Sequence, residues 1–221
     1  MTVAVAANFK TALDKLETDF EARSSYELEV VVGSTGKLYA QIVYGAPYDV
    51  FLAADQARPV RLIEEGEAFE SSRFTYALGR LVLLGQEDPG ALESSDVMRI
   101  AIANPTLAPY GKAAEQVLAR LNLTEATEPK LVLGENVGQT FAFVSTGNAQ
   151  VGFISEAQMS NLNETTSVPF WRPSSDLYDP IAQDAVLLTR AADKPAAIAF
   201  VSYLQTDAAR DIIAQHGYDL P

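Results

Sequence analysis

Val30-Val31-Val32-Gly33-Ser34-Thr35-Gly36-Lys37-Leu38-Tyr39-Ala40-Gln41-Ile42 is the stretch on which the fold turns. A β-branched run meets a turn rich in hydroxyls and glycine, and helical spacing of apolar residues follows at Leu38 and Ile42. The pattern returns three times. Val3-Ala4-Val5 runs into Ala6-Ala7-Asn8-Phe9, and Ile100-Ala101-Ile102-Ala103 precedes Ala108-Pro109-Tyr110-Gly111. Leu131-Val132-Leu133 precedes Glu135-Asn136-Val137-Gly138. Each turn sits where a strand hands over to a helix, so backbone N–H groups and the positive end of a helix dipole meet there. That combination suits an anion.

Working outward, strand-like runs are expected at 2–6, 28–32, 50–53, 81–84, 100–103, 131–133, 151–154 and 185–188. Amphipathic stretches lie between them. Leu13, Leu16 and Phe20 share one helix face, as do Ala113, Val117 and Leu121, and Ile198, Val201 and Leu204 nearly do. The alternation predicts an α/β fold of mixed, mostly parallel sheets with helices on both faces. Open sheets of this kind bind ligands at the carboxyl ends of their strands. The polar stretch 161–180, which carries the single tryptophan Trp171, reads as loop. Segments 74–80 and 178–184 read as hinges. They divide the chain into one lobe from 1–79 with 183–221 and a second from 80–182.

Composition narrows the chemistry. The 221 residues are 48% hydrophobic, enough for a sizeable core. Sixteen Lys and Arg stand against twenty-nine Asp and Glu, a net charge of −13 that argues against nucleic acid and anionic membranes. An anion site here must work through local dipoles against the protein's own field, which salt screens over roughly 8–10 Å. There is no cysteine, which removes disulfides and thiolate chemistry. No apolar run approaches the ~20 residues of a membrane span. No signal peptide precedes the first strand, which leaves open a cytosolic protein or the mature form of an exported one.

Catalytic equipment is thin. His216 is the one histidine and lies near the C-terminus, where a surface position is expected. Gly36-Lys37 invites a phosphate-loop reading. The required first glycine is Val31, however, and the required Ser or Thr is Leu38. Lys37 is expected in solvent. Asp49 and Asp55 flank a strand with no histidine beside them, and capping of the next turn is expected rather than a metal. Asn8 and Ser34 are themselves good N-cap residues, so capping is their alternative role. Tyr110 follows Pro109 at a helix start, where a packing or surface role is the alternative.

Taken together, Ala6-Ala7-Asn8, Gly33-Ser34-Thr35-Gly36-Lys37-Leu38, Ala46-Pro47-Tyr48-Asp49-Val50-Phe51, Arg80-Leu81-Val82, Asn104-Pro105, Ala108-Pro109-Tyr110-Gly111, Glu135-Asn136-Val137-Gly138 and Val151-Gly152-Phe153-Ile154 resemble, in this order, the molybdate-binding proteins of bacterial ABC uptake systems, the ModA family. The resemblance covers nearly the whole chain. It implies a two-lobed periplasmic binding protein of type II topology, a monomer in the periplasm that takes molybdate or tungstate as ligand in the interlobe cleft. No cofactor, catalysis or membrane insertion is implied. It also implies delivery to a membrane permease with a cytoplasmic ATPase. The ligand contacts it implies are Asn8 with the adjacent Ala7 backbone, Ser34, Tyr110 and the backbone N–H of Val137. Asn8 and Ser34 are implied to offer side-chain as well as backbone donors. Some members carry a further tyrosine at the position matching Ser155, and this chain departs from them there.

The donor chemistry agrees. An unprotonated dianion needs donors and no acceptors, which hydroxyls and amides supply. Glu135 beside such a site is expected to point away. The rival readings are a receptor for sulfate or iron(III), a ligand-sensing domain of the same fold, and an enzyme on similar lobes. Iron sites of this fold use adjacent tyrosines, and no Tyr-Tyr pair occurs here.

Overall fold

The computed structural model describes residues 1–162 and 168–221. Among the described residues the chain runs β1 (Thr2–Ala6), α1 (Lys10–Arg23), β2 (Glu29–Gly33), α2 (Thr35–Val43), β3 (Val50–Leu52), α3 (Ala57–Glu64), β4 (Phe74–Gly79) and β5 (Leu81–Leu84). It continues through β6 (Ile100–Ala103), α4 (Pro109–Arg120), α5 (Thr124–Thr127), β7 (Leu131–Gly134), α6 (Val137–Ser145), β8 (Val151–Ser155) and β9 (Phe170–Trp171). It closes with β10 (Ile181–Leu187), α7 (Pro195–Tyr203) and α8 (Asp207–Gln215).

Two compact units result, one from Met1–Gly79 with Ala182–Pro221 and one from Arg80–Ile181. Each holds one five-stranded sheet, in the orders β2-β1-β3-β10-β4 and β7-β6-β8-β5-β9. The two orders repeat one plan. Three parallel strands (β2-β1-β3 and β7-β6-β8) are followed by a strand that runs against them, β10 beside β3 and β5 beside β8. Parallel neighbours force a helical return across the sheet. Every parallel strand therefore ends on the same side of its sheet.

In the first unit, Ala4, Phe51 and Val186 stand in one cross-strand register and share a buried cluster with Leu38 and Ile42 of α2 and Leu62 of α3. Their neighbours Val3, Val5, Val50, Leu52, Ala185 and Leu187 point to the opposite side by strand alternation and are buried too. A parallel sheet covered on both sides explains why β1 and β3 read as continuous apolar runs. On α1 the expected face Leu13, Leu16 and Phe20 is buried, and Phe20 meets the Phe200 ring edge-on at 5.2 Å.

Some expectations are corrected. Segment 74–80 is not merely a connector, because Phe74–Gly79 is a strand at the edge of the first sheet. Part of 178–184 belongs to β10, which starts at Ile181. In the loop-like stretch 161–180, Phe170–Trp171 pairs with Leu83 and Leu84, while 163–167 lie outside the described residues. On α7, Val201 and Leu204 are buried as expected, but Ile198 is 45% exposed, and Ala197, Phe200 and Tyr203 face inward instead. Asp55 does cap, accepting the Arg58 N–H at 3.0 Å.

Asp49 does not cap. Buried at the start of β3, it accepts the Thr2 N–H at 2.9 Å and the Lys194 ammonium at 2.6 Å. It thereby ties β1 and β3 to the start of α7. Asp49→Ala leaves a buried N–H without an acceptor and breaks a pair whose cation is half-exposed, so the loss falls below that of a fully buried pair. Urea denaturation of this variant is expected to show a loss of about 2–4 kcal/mol.

Candidate functional site

The four turns fall as their sequence predicts, at the carboxyl ends of β1, β2, β6 and β7. Ala7, Asn8 and Phe9 form one 3-10 turn between β1 and α1. Ser34 is the residue before α2, in extended conformation, and its carbonyl accepts the Leu38 N–H at 3.0 Å. Tyr110 is the second residue of α4, and Val137 is the first of α6. Ala7, Asn8 and Ser34 thus belong to the first unit, and Tyr110 and Val137 to the second.

Capping does not account for Asn8 or Ser34. Ser34 occupies the N-cap position of α2, yet its side chain makes no cap hydrogen bond. Its Oγ is buried and has no hydrogen-bond partner. Thr35, the next residue, binds inward instead, with Oγ1 accepting the Ala54 N–H at 3.1 Å. That bond fixes the start of α2 against the end of β3. The contrast with Asn136 is direct, since that side chain does cap α6 by accepting the Gln139 N–H at 3.0 Å.

Asn8 is held rather than free. Its Nδ2 donates to Gln183 Oε1 at 2.8 Å and to the Tyr218 hydroxyl at 3.1 Å. The Tyr218 hydroxyl donates in turn to the Asn8 carbonyl at 2.7 Å. Tyr76 OH lies 3.1 Å from both Gln183 Oε1 and the Ala53 carbonyl. The Phe9 ring packs edge-on against Tyr76 at 4.7 Å and Tyr218 at 5.2 Å. Burial pushes the phenols of Tyr76 and Tyr218 well above the ordinary tyrosine value, so both remain protonated donors. Both side-chain N–H groups of Asn8 are engaged inside the unit. What the turn can offer outward is its backbone N–H groups.

In the second unit Tyr110 and Val137 are both buried. Gly111 decides how closely α4 approaches β6, because a Cβ there would stand 2.0 Å from the Ala103 carbonyl oxygen. Only glycine allows that approach. Glu135 is exposed, and its N–H donates to Gln139 Oε1 at 2.6 Å. Lys37 is exposed, and His216 Nδ1 lies 2.7 Å from the Ile212 carbonyl. Among the described residues no group of three His, Cys, Asp or Glu is placed to hold a metal. No described helix is long and apolar enough to cross a membrane.

Gln183, Tyr218 and Tyr76 were not singled out in the sequence. They reach Asn8 from the far end of the chain, and no local pattern marks them.

The model of the bacterial extracellular solute-binding protein family matches residues 1–219. The molybdate-binding protein ModA of Azotobacter vinelandii is 46% identical over 224 residues, covering 99% of this chain and 89% of that protein. The ModA of Rhodobacter capsulatus is 42% identical, covering 97% and 86%. Among solved structures, the A. vinelandii periplasmic molybdate-binding protein superposes with a TM-score of 0.92 at 37% identity, covering 100% of this chain and 99% of that one. The fold is thus that of solute-binding proteins, which are not enzymes. The chain belongs to the bacterial extracellular solute-binding protein family and, within it, to the ModA molybdate-binding proteins.

The Asn8 network carries a measurable cost. Tyr218→Phe removes one hydroxyl that both accepts from and donates to Asn8, leaving two buried polar groups short of a partner. Denaturant unfolding should show a loss of about 1–3 kcal/mol. Ser34→Ala removes an already unpartnered hydroxyl, so the ligand-free melting temperature should stay level or rise.

Proposed function

We propose that this protein is the receptor of a bacterial ABC uptake system for a tetrahedral oxyanion, molybdate and also tungstate. Neutral donors hold the ligand. A membrane permease driven by a cytoplasmic ATPase takes it over. The mature chain works in the periplasm as a monomer. The observation that carries the reading is the Ser34 hydroxyl, buried at a helix start without a partner and free of any capping role. Molybdate as the ligand is supported by the similarity to the two ModA proteins.

Each proposed ligand residue has a distinct part. Ser34 gives its hydroxyl and the first amides of α2. Ala7 and Asn8 give backbone N–H groups, with the Asn8 amide serving to lock the turn. Val137 gives its backbone N–H at the start of α6, and Tyr110 joins it from the start of α4. Helix dipoles favour negative charge at these starts. Each charge-assisted bond to the dianion is worth roughly 1.5–3 kcal/mol. With no carboxylate among the donors, a protonated oxyanion gains nothing over an unprotonated one. Molybdate and sulfate share charge and shape, so selectivity between them rests on the size of the closed site.

Calorimetric titration with molybdate, tungstate, sulfate and phosphate in one buffer tests the reading. Tight one-to-one binding of molybdate and tungstate is expected, with sulfate and phosphate weak or silent. No heat from either molybdate or tungstate would overturn it. Ser34→Ala should weaken molybdate roughly 10- to 100-fold. Because hydroxyls and backbone amides do not titrate near neutrality, the molybdate affinity should be flat across the neutral pH range.

A further inference from the structure

The lock on Asn8 depends on a single buried acceptor. Gln183, on β10, is fully buried and accepts the Asn8 Nδ2–H on Oε1 at 2.8 Å. The Tyr76 hydroxyl lies 3.1 Å from the same oxygen. The next residue, Asp184, is equally buried and points to the opposite side of the strand. There its carboxylate accepts from the Arg73 guanidinium at 2.7 Å, the Thr75 hydroxyl at 2.7 Å and the Gln56 amide at 3.2 Å. β10 thus carries a buried amide and a buried carboxylate side by side, and it is the amide that faces the turn after β1.

An amide oxygen and a carboxylate oxygen accept these protons equally well, and they differ in charge. The rest of the cluster is neutral. It consists of Asn8 from the turn after β1, Tyr76 from β4 and Tyr218 from the C-terminal segment, and burial holds both phenols protonated. The carboxylates whose charge reaches Tyr76 are Asp184 and Asp55, and each is paired with an arginine, Arg73 and Arg58. No unpaired charge therefore backs the Asn8 turn.

From this arrangement we infer that Gln183 is a positioning residue for the oxyanion: its oxygen locks the Asn8 turn with the backbone N–H groups left for the ligand, and its neutrality keeps a negative charge from backing that turn. The inference rests on the oxyanion reading above and deepens it, since Gln183 acts through Asn8 and not by touching the ligand. A turn locked before the ligand arrives needs little ordering on binding. A carboxylate in the same place would lock the turn too, but it would set a like charge one hydrogen bond behind a residue that holds the dianion. In a buried setting that repulsion is weakly screened.

Gln183→Glu tests this, because it keeps the acceptor and adds only the charge. Burial raises such a carboxyl above the ordinary carboxylate range, so the charge is present at high pH and is lost by protonation as the pH falls. Molybdate is titrated calorimetrically into both proteins from about pH 6 to about pH 9. The wild-type affinity should stay flat. In Gln183→Glu the dissociation constant should rise about tenfold or more toward the alkaline end and recover toward the acid end. A merely structural role for Gln183 gives the same loss at every pH. Should the glutamate protein not fold, Gln183→Met keeps the length of the side chain and deletes the acceptor, and its dissociation constant should rise about tenfold at every pH. A glutamate loss that does not change with pH overturns the inference and leaves the oxyanion reading standing. So does affinity within twofold of wild type, either in the glutamate protein at the alkaline end or in the methionine protein. Wild-type protein that binds neither molybdate nor tungstate overturns both.

Discussion

Parallel pairing is the constraint from which the rest follows. A strand that pairs parallel to its neighbour cannot be reached by a tight turn, so the chain must cross back through a helix. In each unit three parallel strands thus end on one side, and a helix or a 3-10 turn starts there. Helix starts expose N–H groups that the helix itself cannot satisfy. The sheet that forms the core therefore also manufactures the donors. The central strands β1 and β3 of the first sheet are buried on both faces, so the turn after β1 is held on a stiff base.

Which of those donors stay available is settled by side chains from elsewhere. Asn136 caps its own helix, Thr35 is tied to Ala54, and the Asn8 amide is tied to Gln183 and Tyr218. The Ser34 hydroxyl stands apart because, among the described residues, it has no hydrogen-bond partner. Buried polar groups are normally paired, since each orphan costs free energy comparable to a lost hydrogen bond. An orphan at a strand end, in a family of binding proteins, fits the proposed role of Ser34 as a ligand donor. The net charge of −13 fits the same logic. The proposed site would work through oriented dipoles at short range, where the remote acidic surface is screened.

The places of the candidate-site turns were legible in the sequence, and the reason is local. A β-branched run followed by Gly-Ser-Thr-Gly, or by Ala-Asn, has one economical backbone solution, so the turns around Asn8, Ser34, Tyr110 and Val137 fall at strand ends as read. What escaped has no local trace. Gln183 lies 175 residues from Asn8 and Tyr218 lies 210 away, yet both bind its amide. Segment 74–79 mixes half-exposed and buried positions and ends in glycine, so its strand exists through its place beside β10. Ile198 was expected inside on helical spacing, but α7 is apolar nearly all round, and periodicity cannot choose a face for such a helix.

By itself, then, the sequence determined the order of most strands and helices, the places of the donor turns and the neutral chemistry of their side chains. Those depend on periods of two and 3.6 residues and on turn residues, all written within a few positions of one another. The tertiary structure alone decided which polar groups are satisfied: that the Asn8 amide locks its own turn, that Asp49 pairs with Lys194 rather than capping, and that the Ser34 hydroxyl is left over. The physical reason is that satisfaction is a property of neighbours in space. A hydroxyl becomes a ligand group only when the fold brings no other acceptor to it.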